Sequence, residues 1–356
     1  LRNASVPNNV LGDAYEYLIK KFADLANRKA GEFYTPRSVV QLMVRMLSPE
    51  AGDTVYDPAC GTGGMLLATL QQVRESGGDE RLMLGRLHGQ ERNLTTAAIA
   101  RMNLFLHGAE DFHVVRGDTL REPAFLDGDR LATFDCVIAN PPFSLQAWGE
   151  EAWANDPWGR NLAGTPPKKY GDWAWVQHMI ASMAPSTGRM AVVLPHGALF
   201  RMGAEGRIRS KVLESDVIEA VIGLGPNLFY GAGLAACIVV ARRRKPENRR
   251  SRVLLIDASD LFRRGRNQNT LEPDHVDSIL GGYERFEDEE GRSRVVTLEE
   301  IAEQGGNLNL AGYVVRPDDV DIPTVEEATK ALKQALDEVW ATEDRLNELL
   351  VERGIA

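Results

Sequence analysis

The 356-residue sequence has few of the residues from which disulfide frameworks and metal centres are built. Its three cysteines, Cys60, Cys136 and Cys237, lie far apart, so they suggest neither a disulfide framework nor a zinc site. Unpaired cysteines are typical of a reducing compartment, and we expect the protein in the cytoplasm. The six histidines are scattered and lack the H-x-E spacing of zinc enzymes, so no bound metal is expected.

Long hydrophobic runs are also missing. No window of about 18 residues is both apolar and uncharged, which argues against a membrane-spanning helix and a membrane partner. The first residues, L-R-N-A-S-V-P, do not resemble a signal peptide, and the chain does not begin with methionine. We therefore expect a fragment or a processed form of a longer protein.

Positive charge is in the minority, since the net charge is −10, but the two signs are unevenly distributed. Residues 271–356 carry a net charge of −14, whereas the remainder carries +4. Residues 241–270 alone contain ten Arg or Lys and three acidic residues. A basic body with an acidic tail is compatible with nucleic acid binding to the body only. The alternative is that the arginine-rich stretches are solvated turns, and charge alone does not decide between the two.

Strand-like and helix-like segments alternate four times between residues 54 and 139, which predicts an α/β fold with parallel strands and helices on both faces. Before them, Thr35 and Pro36 predict the start of a helix. Three further strands are predicted at M-A-V-V-L-P, V-I-E-A-V-I-G-L and A-A-C-I-V-V-A. The last two have no obvious helix between them, so we expect an antiparallel pair at the edge of the sheet.

The two ends of the chain read as helices. Residues 11–26 have helical spacing of apolar side chains, and so do the residues after Val325, where Pro323 marks a start and Gly354 a stop. The second helix is long, acidic and amphipathic. It either packs on its own domain or forms half of a coiled interface with a partner chain.

A glycine-rich loop, D-P-A-C-G-T-G-G at residues 57–64, follows the first predicted strand and precedes a helix. It matches neither the P-loop nor the dinucleotide fingerprint. Glu91 ends the next strand, where a carboxylate can bind ribose hydroxyls, and Asp118 ends the third, where one can accept from a purine amine. Each acid alone would be read as a turn or capping residue. Together with the loop they indicate a nucleoside pocket without a phosphate site, which suits S-adenosylmethionine (SAM).

The fourth strand leads into N-P-P-F at residues 140–143. Pro141 and Pro142 make a stiff, extended corner that offers carbonyl oxygens but no N–H groups. Asn140 adds a side-chain acceptor, and Phe143 adds an aromatic face. Two acceptors beside a stacking ring suit the amino group of a flipped adenine. A purely structural turn is the alternative, and the nearby nucleoside pocket argues against it.

Several motifs resemble those of one family. They are G-E-F-Y-T-P-R (31–37), V-Y-D-P-A-C-G-T-G-G-M-L-L (55–67), G-Q-E (89–91), M-N-L-F-L-H-G (102–108), G-D-T-L (117–120), A-N-P-P-F-S (139–144), D-W-A-W-V-Q-H-M-I (172–180), G-R-M-A-V-V-L-P-H-G-A-L-F-R (188–201), N-L-F-Y-G (227–231) and G-R-N-Q-N (265–269). The sequence is similar, over about residues 10–315, to the modification subunits of type I restriction–modification systems, which are adenine-N6 DNA methyltransferases. The resemblance implies a Rossmann-like SAM-dependent methyltransferase sheet with helices on both faces, plus the long C-terminal helix.

The resemblance also implies roles for individual residues. Asn140, Pro141, Pro142 and Phe143 would form the catalytic clamp, and Tyr230 would lie near the target base. The cofactor SAM would be held by Glu32, Phe33, Tyr34, Thr35, Asp57, Pro58, Gly61, Thr62, Gly63, Gly64, Glu91, Asp118 and Asn140. Among these, Glu91 would bind the ribose and Asp118 the adenine of the cofactor. No metal site is implied.

By the same resemblance, the chain would methylate N6 of adenine in DNA as part of a complex. Expected partners are DNA, a specificity subunit reached through the C-terminal helix, a second modification subunit and, in systems that have one, a restriction subunit. The expected domains are an N-terminal helix (1–30), a catalytic domain (31–315) and the C-terminal helix (316–356). The alternatives are a methyltransferase acting on RNA or on a protein glutamine, and a catalytically silent subunit that binds SAM or serves as a scaffold.

Overall fold

The computed structural model describes residues 35–229, 233 and 235–315, and the helical positions 326, 329, 330, 332–336, 339, 342 and 345. The predictions made for residues 11–26, Glu32, Phe33, Tyr34 and Tyr230 lie outside the described residues. The chain divides into two units, Leu1–Val314 and Val315–Ala356.

The larger unit is built on a nine-stranded sheet. Its described strands, with a separate hairpin of β4 and β5, are β1 (Val55–Asp57), β2 (Leu87–Glu91), β3 (His113–Arg116), β4 (Leu126–Asp127), β5 (Arg130–Leu131), β6 (Cys136–Ala139), β7 (Arg189–Pro195), β8 (Ile218–Leu224), β9 (Ala236–Arg242), β10 (Arg252–Ala258) and β11 (Ser293–Thr297). The order in the sheet is β11-β10-β8-β9-β7-β6-β1-β2-β3.

Strand direction decides which loops meet. The strands β7, β6, β1, β2 and β3 are parallel, β9 is antiparallel to both β7 and β8, and β10 is parallel to β8. All these strands except β9 therefore end at the same edge of the sheet, which we call the carboxyl edge. The strand β9 ends at the opposite edge, the amino edge. Ligands of open α/β sheets bind at the carboxyl edge.

The predicted antiparallel pair forms, but its predicted position at the sheet edge is wrong. The strand β9 lies inside the sheet between β7 and β8, and β10 and β11 extend the sheet beyond them. The segment V-L-L-I-D-A, which forms most of β10, was not recognised as a strand. Its apolar residues Val253 to Ile256 are buried, and this burial adds a strand where the sequence pattern suggested an edge.

Helices cover both faces of the sheet, as predicted. The described helices of this unit are α1 (Arg37–Leu47), α2 (Gly64–Glu75), α3 (Leu94–Leu106), α4 (Glu150–Trp153), α5 (Asp172–Ala181), α6 (Ala204–Glu214), α7 (Pro273–Arg285) and α8 (Leu298–Glu303). The helix α1 starts directly after Pro36, as the sequence indicates. Side chains of α1, α2, α3 and α7 share one hydrophobic core, and those of α5 and α6 share the other.

The buried strands contribute to both cores at once. In β7 every residue is buried, with Ala191 and Val193 in one core and Met190, Val192 and Leu194 in the other. Alternation of side chains along a strand explains this division. A strand buried on both faces reads as a continuous apolar run, which is why the sequence predicts it so clearly.

Charged side chains at the amino edge pair with one another. The carboxylate of Glu219, at the start of β8, is 0% exposed. It lies 2.7 Å from Arg242 and 3.2 Å from Arg249, and it accepts a 2.6 Å hydrogen bond from the Tyr283 hydroxyl. Arg189 similarly pairs with Asp53 at 2.6 Å. These pairs join distant segments of chain and have a structural role.

The described residues of the smaller unit from 326 onward are helical, as the spacing after Val325 predicts. Its apolar side chains Leu332, Leu336 and Val339 are 62%, 41% and 59% exposed. Across the described parts of both units, no helix combines the length and the hydropathy that a bilayer crossing needs.

Candidate active site

The loop after β1 turns through two glycines. Gly61 and Gly63 have φ angles of 53° and 81°, a left-handed conformation that side chains rarely adopt. The helix α2 begins at the next residue, Gly64, and a Cβ atom placed there would meet nothing within 4 Å. The loop therefore leaves open space beside the first turn of a helix, where backbone N–H groups lack helical partners.

Glu91 lies directly against this loop, as predicted for a shared pocket. One of its carboxylate oxygens accepts from the Gly61 N–H at 3.1 Å, and the other accepts from the Asn93 N–H at 2.7 Å. The loop is further tied to β2 by a 3.0 Å hydrogen bond from the Cys60 N–H to the Gln90 carbonyl. The acid and the glycines thus form one cluster at the carboxyl edge.

Asp57, the last residue of β1, is 2% exposed and accepts from the Ala59 N–H at 3.0 Å. Burial, together with the negative charge of Glu91, raises the pKa of this carboxyl to about 8, although the hydrogen bond from Ala59 opposes the shift. Two carboxyl groups in a buried cluster favour a ligand that brings positive charge. SAM, with its sulfonium and ammonium groups, has this property.

Two buried side chains that the sequence interpretation missed hold the loop in place. Thr119 donates to the Pro58 carbonyl at 2.5 Å, and the amide of Asn103, on α3, donates to the Thr62 carbonyl at 3.1 Å. The carbonyl groups of Pro58 and Thr62 are thus occupied within the protein. Thr119 and Asn103 belong to the motifs G-D-T-L and M-N-L-F-L-H-G, which carry the family resemblance. Their place in these motifs could have identified them from the sequence.

Asp118 lies in the turn after β3, which ends at Arg116 and not at Asp118 as predicted. Its side chain is 21% exposed, with the Nε atoms of Arg92 and Arg121 at 3.6 and 3.8 Å. Both arginine contacts are longer than a hydrogen bond. The carboxylate remains accessible at the carboxyl edge, and its predicted role toward the cofactor adenine stays a prediction.

The N-P-P-F corner follows β6 at the same edge. The amide nitrogen of Asn140 donates to the Thr35 hydroxyl at 3.0 Å, which joins two predicted site residues that are 105 positions apart. The amide oxygen of Asn140 is buried and has no hydrogen-bond partner among the described residues. An unpaired buried acceptor is costly, so a donor that reached this oxygen would be stabilised by it.

The chain leaves this corner in a constrained conformation. Ser144 has a φ of 50°, and its N–H donates to the carboxylate of Asp172 at 2.7 Å. Asp172 is 1% exposed and also forms a short ion pair with Arg201, which in turn pairs with Glu205. Asp172 and Arg201 were not recognised as site residues. They fix the segment that immediately follows Phe143.

A second loop touches the corner from the other side. The rings of Phe143 and Phe229 pack edge to face, with centroids 5.8 Å apart and an angle of 67°. Phe229 is 4% exposed, whereas Phe143 is partly buried. The ring of Phe143 is therefore held by packing while part of it remains accessible.

The tryptophan-rich loop after the corner is anchored in the protein. Trp148 and Trp153 are 2% and 1% exposed, and their rings pack together at 5.1 Å. The buried Arg160 lies over the Trp153 ring and donates to the Thr119 carbonyl at 2.8 Å. These two tryptophans anchor the loop in the protein.

The fold and the geometry of the site together indicate the class of protein. A mostly parallel α/β sheet carries a glycine loop after β1, an acid at the end of β2 and an amide corner after β6, all at one edge. This arrangement is that of a class I SAM-dependent methyltransferase. Residues 6–321 match the family "N-6 DNA Methylase", and the chain belongs to this family.

Relatives and solved structures agree with the assignment. The chain is 38% identical over 354 residues to the type I restriction enzyme MjaVII methylase subunit of Methanocaldococcus jannaschii, covering 94% of this chain and 59% of that protein. It is 32% identical to the HindI methylase subunit of Haemophilus influenzae, covering 90% and 72%. The methyltransferase subunit of a type I system from Streptococcus thermophilus aligns with a TM-score of 0.78 and 36% identity, covering 88% and 66%.

These matches confirm the predicted family and fold class. The chain spans about three fifths of the length of the M. jannaschii relatives that it matches. The individual site residues remain predictions, now with a defined geometry. Among the described residues, no group of three or more His, Cys, Asp or Glu is placed to hold a metal ion.

Proposed function

We propose that this chain transfers a methyl group from SAM to N6 of adenine in DNA, as the modification subunit of a type I restriction–modification system. The observation that carries the proposal is the placement of Asn140, whose amide is fixed by its hydrogen bond to Thr35 and whose oxygen has no hydrogen-bond partner among the described residues. It lies at the carboxyl edge beside a glycine loop, on a corner that offers no N–H group. An amino group of a substrate can donate to this oxygen.

The described residues fit the cofactor. The backbone at Gly61, Gly63 and Gly64 and the carboxyl of Asp57 would hold its amino-acid portion, with Pro58 and Thr62 in the same loop. Glu91 would bind the ribose, Asp118 the adenine, and Thr35 would contact the methionine end beside Asn140. When bound, SAM supplies an electrophilic methyl group on a positively charged sulfur.

The clamp residues act on the nucleophile. The nitrogen N6 of adenine is weakly nucleophilic because its lone pair is delocalised into the ring. Hydrogen bonds from its N–H groups to the Asn140 side chain and the Pro141 carbonyl favour a more tetrahedral, electron-rich nitrogen and stabilise the charge that develops there. Phe143 orients the base by stacking, and alignment of the two reactants lowers the barrier further. No covalent enzyme intermediate is needed.

The clamp is tested by Asn140→Ala. We expect donor binding to be retained and methyl transfer to fall by at least about 100-fold, as when a single oxyanion-hole donor is removed. Tritiated SAM, DNA and calorimetric measurement of donor affinity provide the readouts. The matched control is Asn248→Ala, the same substitution at an exposed position far along the chain. Normal transfer by Asn140→Ala would refute the clamp.

The same assay separates the alternatives. A methyltransferase for RNA or a protein glutamine would label those substrates and leave DNA unlabelled. A catalytically silent subunit would bind donor and label nothing, with or without a specificity subunit. The intact set of Asn140, Glu91 and the loop glycines favours an active enzyme.

We further propose that the C-terminal helix contacts the specificity subunit, in a complex with a second modification subunit and, in systems that have one, a restriction subunit. The exposed side chains of Leu332, Leu336 and Val339 support this role, because they supply apolar surface at helical spacing. Deletion of residues 324–356 should abolish co-elution with the specificity subunit and leave donor affinity unchanged. Unaltered co-elution would refute this role of the helix.

A further inference from the structure

The arginine-rich segment, residues 241–270, is divided between opposite edges of the sheet. The strand β9 runs antiparallel to β7 and ends at Arg242, so the residues that follow lie at the amino edge. The strand β10 then crosses the sheet parallel to β8 and ends at Ala258, so the next loop lies at the carboxyl edge. One basic segment in the sequence thus becomes two separate groups of charge in space.

Most cations of the first group, residues 242–252, form ion pairs or hydrogen bonds within the protein. Arg242 and Arg249 pair with Glu219. Arg243 donates to the Ile180 carbonyl at 2.7 Å, and Lys245 donates to the Ile218 carbonyl at 2.9 Å. Arg244, Arg250 and Arg252, the first residue of β10, are the exposed members of this group, with no hydrogen bond or ion pair from their side chains among the described residues.

The second group lies on a tight loop, residues 263–270. Its ends are joined by two backbone hydrogen bonds between Arg263 and Thr270, of 2.8 and 3.0 Å. Arg263 is ion-paired with Glu272 at 2.9 Å. Arg264 and Arg266 are exposed, and within the described part of the chain their guanidinium groups have no hydrogen bond or ion pair. The loop therefore carries two accessible positive charges at the edge where the active site lies.

Direct contacts connect this loop to the catalytic corner. The Asn269 amide donates to the Pro226 carbonyl at 2.8 Å, and its backbone N–H donates to the Asn227 carbonyl at 2.9 Å. The Gln268 amide donates to the Leu228 carbonyl. The next residue, Phe229, packs against Phe143 of the clamp. The loop that carries Arg264 and Arg266 is thus connected, through residues 226–229, to Phe143, the ring predicted to stack on the target base.

We propose that Arg264 and Arg266 bind backbone phosphates of the DNA strand next to the flipped adenine. This inference rests on the proposed function. Guanidinium groups suit phosphates because their planar N–H donors form paired, charge-assisted hydrogen bonds. A base turned out of the duplex keeps its flanking phosphates near the protein surface around the corner, and the 263–270 loop contacts the segment that packs on Phe143.

The test compares two double variants of equal charge. Arg264→Ala/Arg266→Ala removes two positive charges at the carboxyl edge, and Arg244→Ala/Arg250→Ala removes two at the amino edge. The probe is a fluorescein-labelled duplex of mixed sequence, titrated at several salt concentrations. Each lost phosphate contact lowers the slope of log K against log salt by about 1. We expect a decrease of about 2 for the first variant and little change for the second, with donor affinity unchanged in both.

The outcomes are separable. Equal slopes for the two variants would overturn the assignment of the arginines, even if the wild-type protein methylates DNA. A wild-type protein that binds the duplex with the expected slopes but transfers no methyl group would overturn only the proposed reaction. Preferential loss of binding to a single-stranded RNA competitor, with duplex binding unaffected, would also contradict the proposal. Retention of most of the slope by Arg264→Lys/Arg266→Lys would support a phosphate contact.

Discussion

Buried polar and charged side chains at the two edges of the central sheet differ in whether they have partners within the protein. At the amino edge, Glu219 is fully buried and its carboxylate is shared by Arg242, Arg249 and a tyrosine hydroxyl. At the carboxyl edge, the buried oxygen of Asn140 has no partner among the described residues, and burial disfavours the charged form of Asp57. The charges around Glu219 are thus satisfied within the protein, whereas Asn140 and Asp57 keep polar atoms that a ligand can use.

This difference separates stability from function within one sheet. Paired groups at the amino edge should matter for folding and not for methyl transfer. Unsatisfied groups at the carboxyl edge should matter for binding and transfer, and some should even reduce the stability of the free protein. Substitutions at the two edges can test this separation.

The largest effect is expected at the amino edge, for Glu219→Gln. The amide leaves two arginines without their shared negative charge, and loss of one partner from a buried ion pair costs about 3–5 kcal/mol in the free energy of unfolding. Chemical denaturation measures the loss. Glu289→Gln is the control, because it removes an exposed pair with Arg285 that contributes at most about 1 kcal/mol. Reduced transfer by folded Glu219→Gln would break the separation of the two edges.

Smaller effects are expected for Asp57→Asn, which should stabilise the free protein but weaken donor binding. The carboxyl pKa of Asp57 is about 8 in the folded protein and 3.8 in the unfolded chain. The free energy of unfolding of the wild type therefore decreases as pH rises from about 4 to about 8. Asparagine removes this penalty, so the free variant should melt above the wild type at pH 8 and close to it near pH 4.

The same substitution should weaken donor binding by about 100-fold, since loss of one buried charged partner costs roughly 2–5 kcal/mol. In the wild type, a cationic donor must displace the proton from Asp57, so its affinity should rise as pH increases toward 8. Calorimetry across this range measures both proteins. A wild-type affinity independent of pH, or a variant that melts below the wild type at pH 8, would contradict the interpretation.

The smallest of these effects is expected for Asp172→Asn. The amide can still accept from the Ser144 N–H but loses the ion pair with Arg201, so the segment after Phe143 should be held less firmly. We expect kcat to fall about tenfold, equivalent to about 1.4 kcal/mol, with KM for the donor unchanged. Glu205→Gln also removes a partner of Arg201 but does not touch Ser144, and it should leave kcat near the wild-type value. Equal losses in the two variants would mean that the ion pairs act only on stability.

Much of the fold was predictable because it is encoded in short stretches of chain. Buried parallel strands are continuous apolar runs, and Pro36 marks the start of α1. The strands of the large sheet that were not recognised are β11 and β10, which follows an arginine-rich stretch and lacks a helix that would have signalled a crossover. The place of β10 in the sheet depends on pairing with β8 and β11, which neighbouring residues do not reveal.

The candidate site was predictable to a similar degree. Gly61 and Gly63 indicate left-handed turns, and Pro141 and Pro142 indicate a corner without donors, because these residues constrain their own backbone. The supporting residues Asn103 and Asp172 were not identified, since their roles arise from contacts with the loop carbonyl of Thr62 and the N–H of Ser144.

The sequence by itself determined the kind of chain this is: an alternating α/β protein with a glycine turn and an amide–proline corner, because backbone conformation at Gly and Pro and the period of apolar residues are local properties. Only the tertiary structure decided which groups meet. It brought Thr35 to Asn140 across 105 residues and left the oxygen of that amide without a partner. It also placed seven of the ten Arg and Lys of one segment at the amino edge and three at the carboxyl edge, because β9 runs antiparallel to its neighbours and β10 crosses the sheet in the opposite direction to β9.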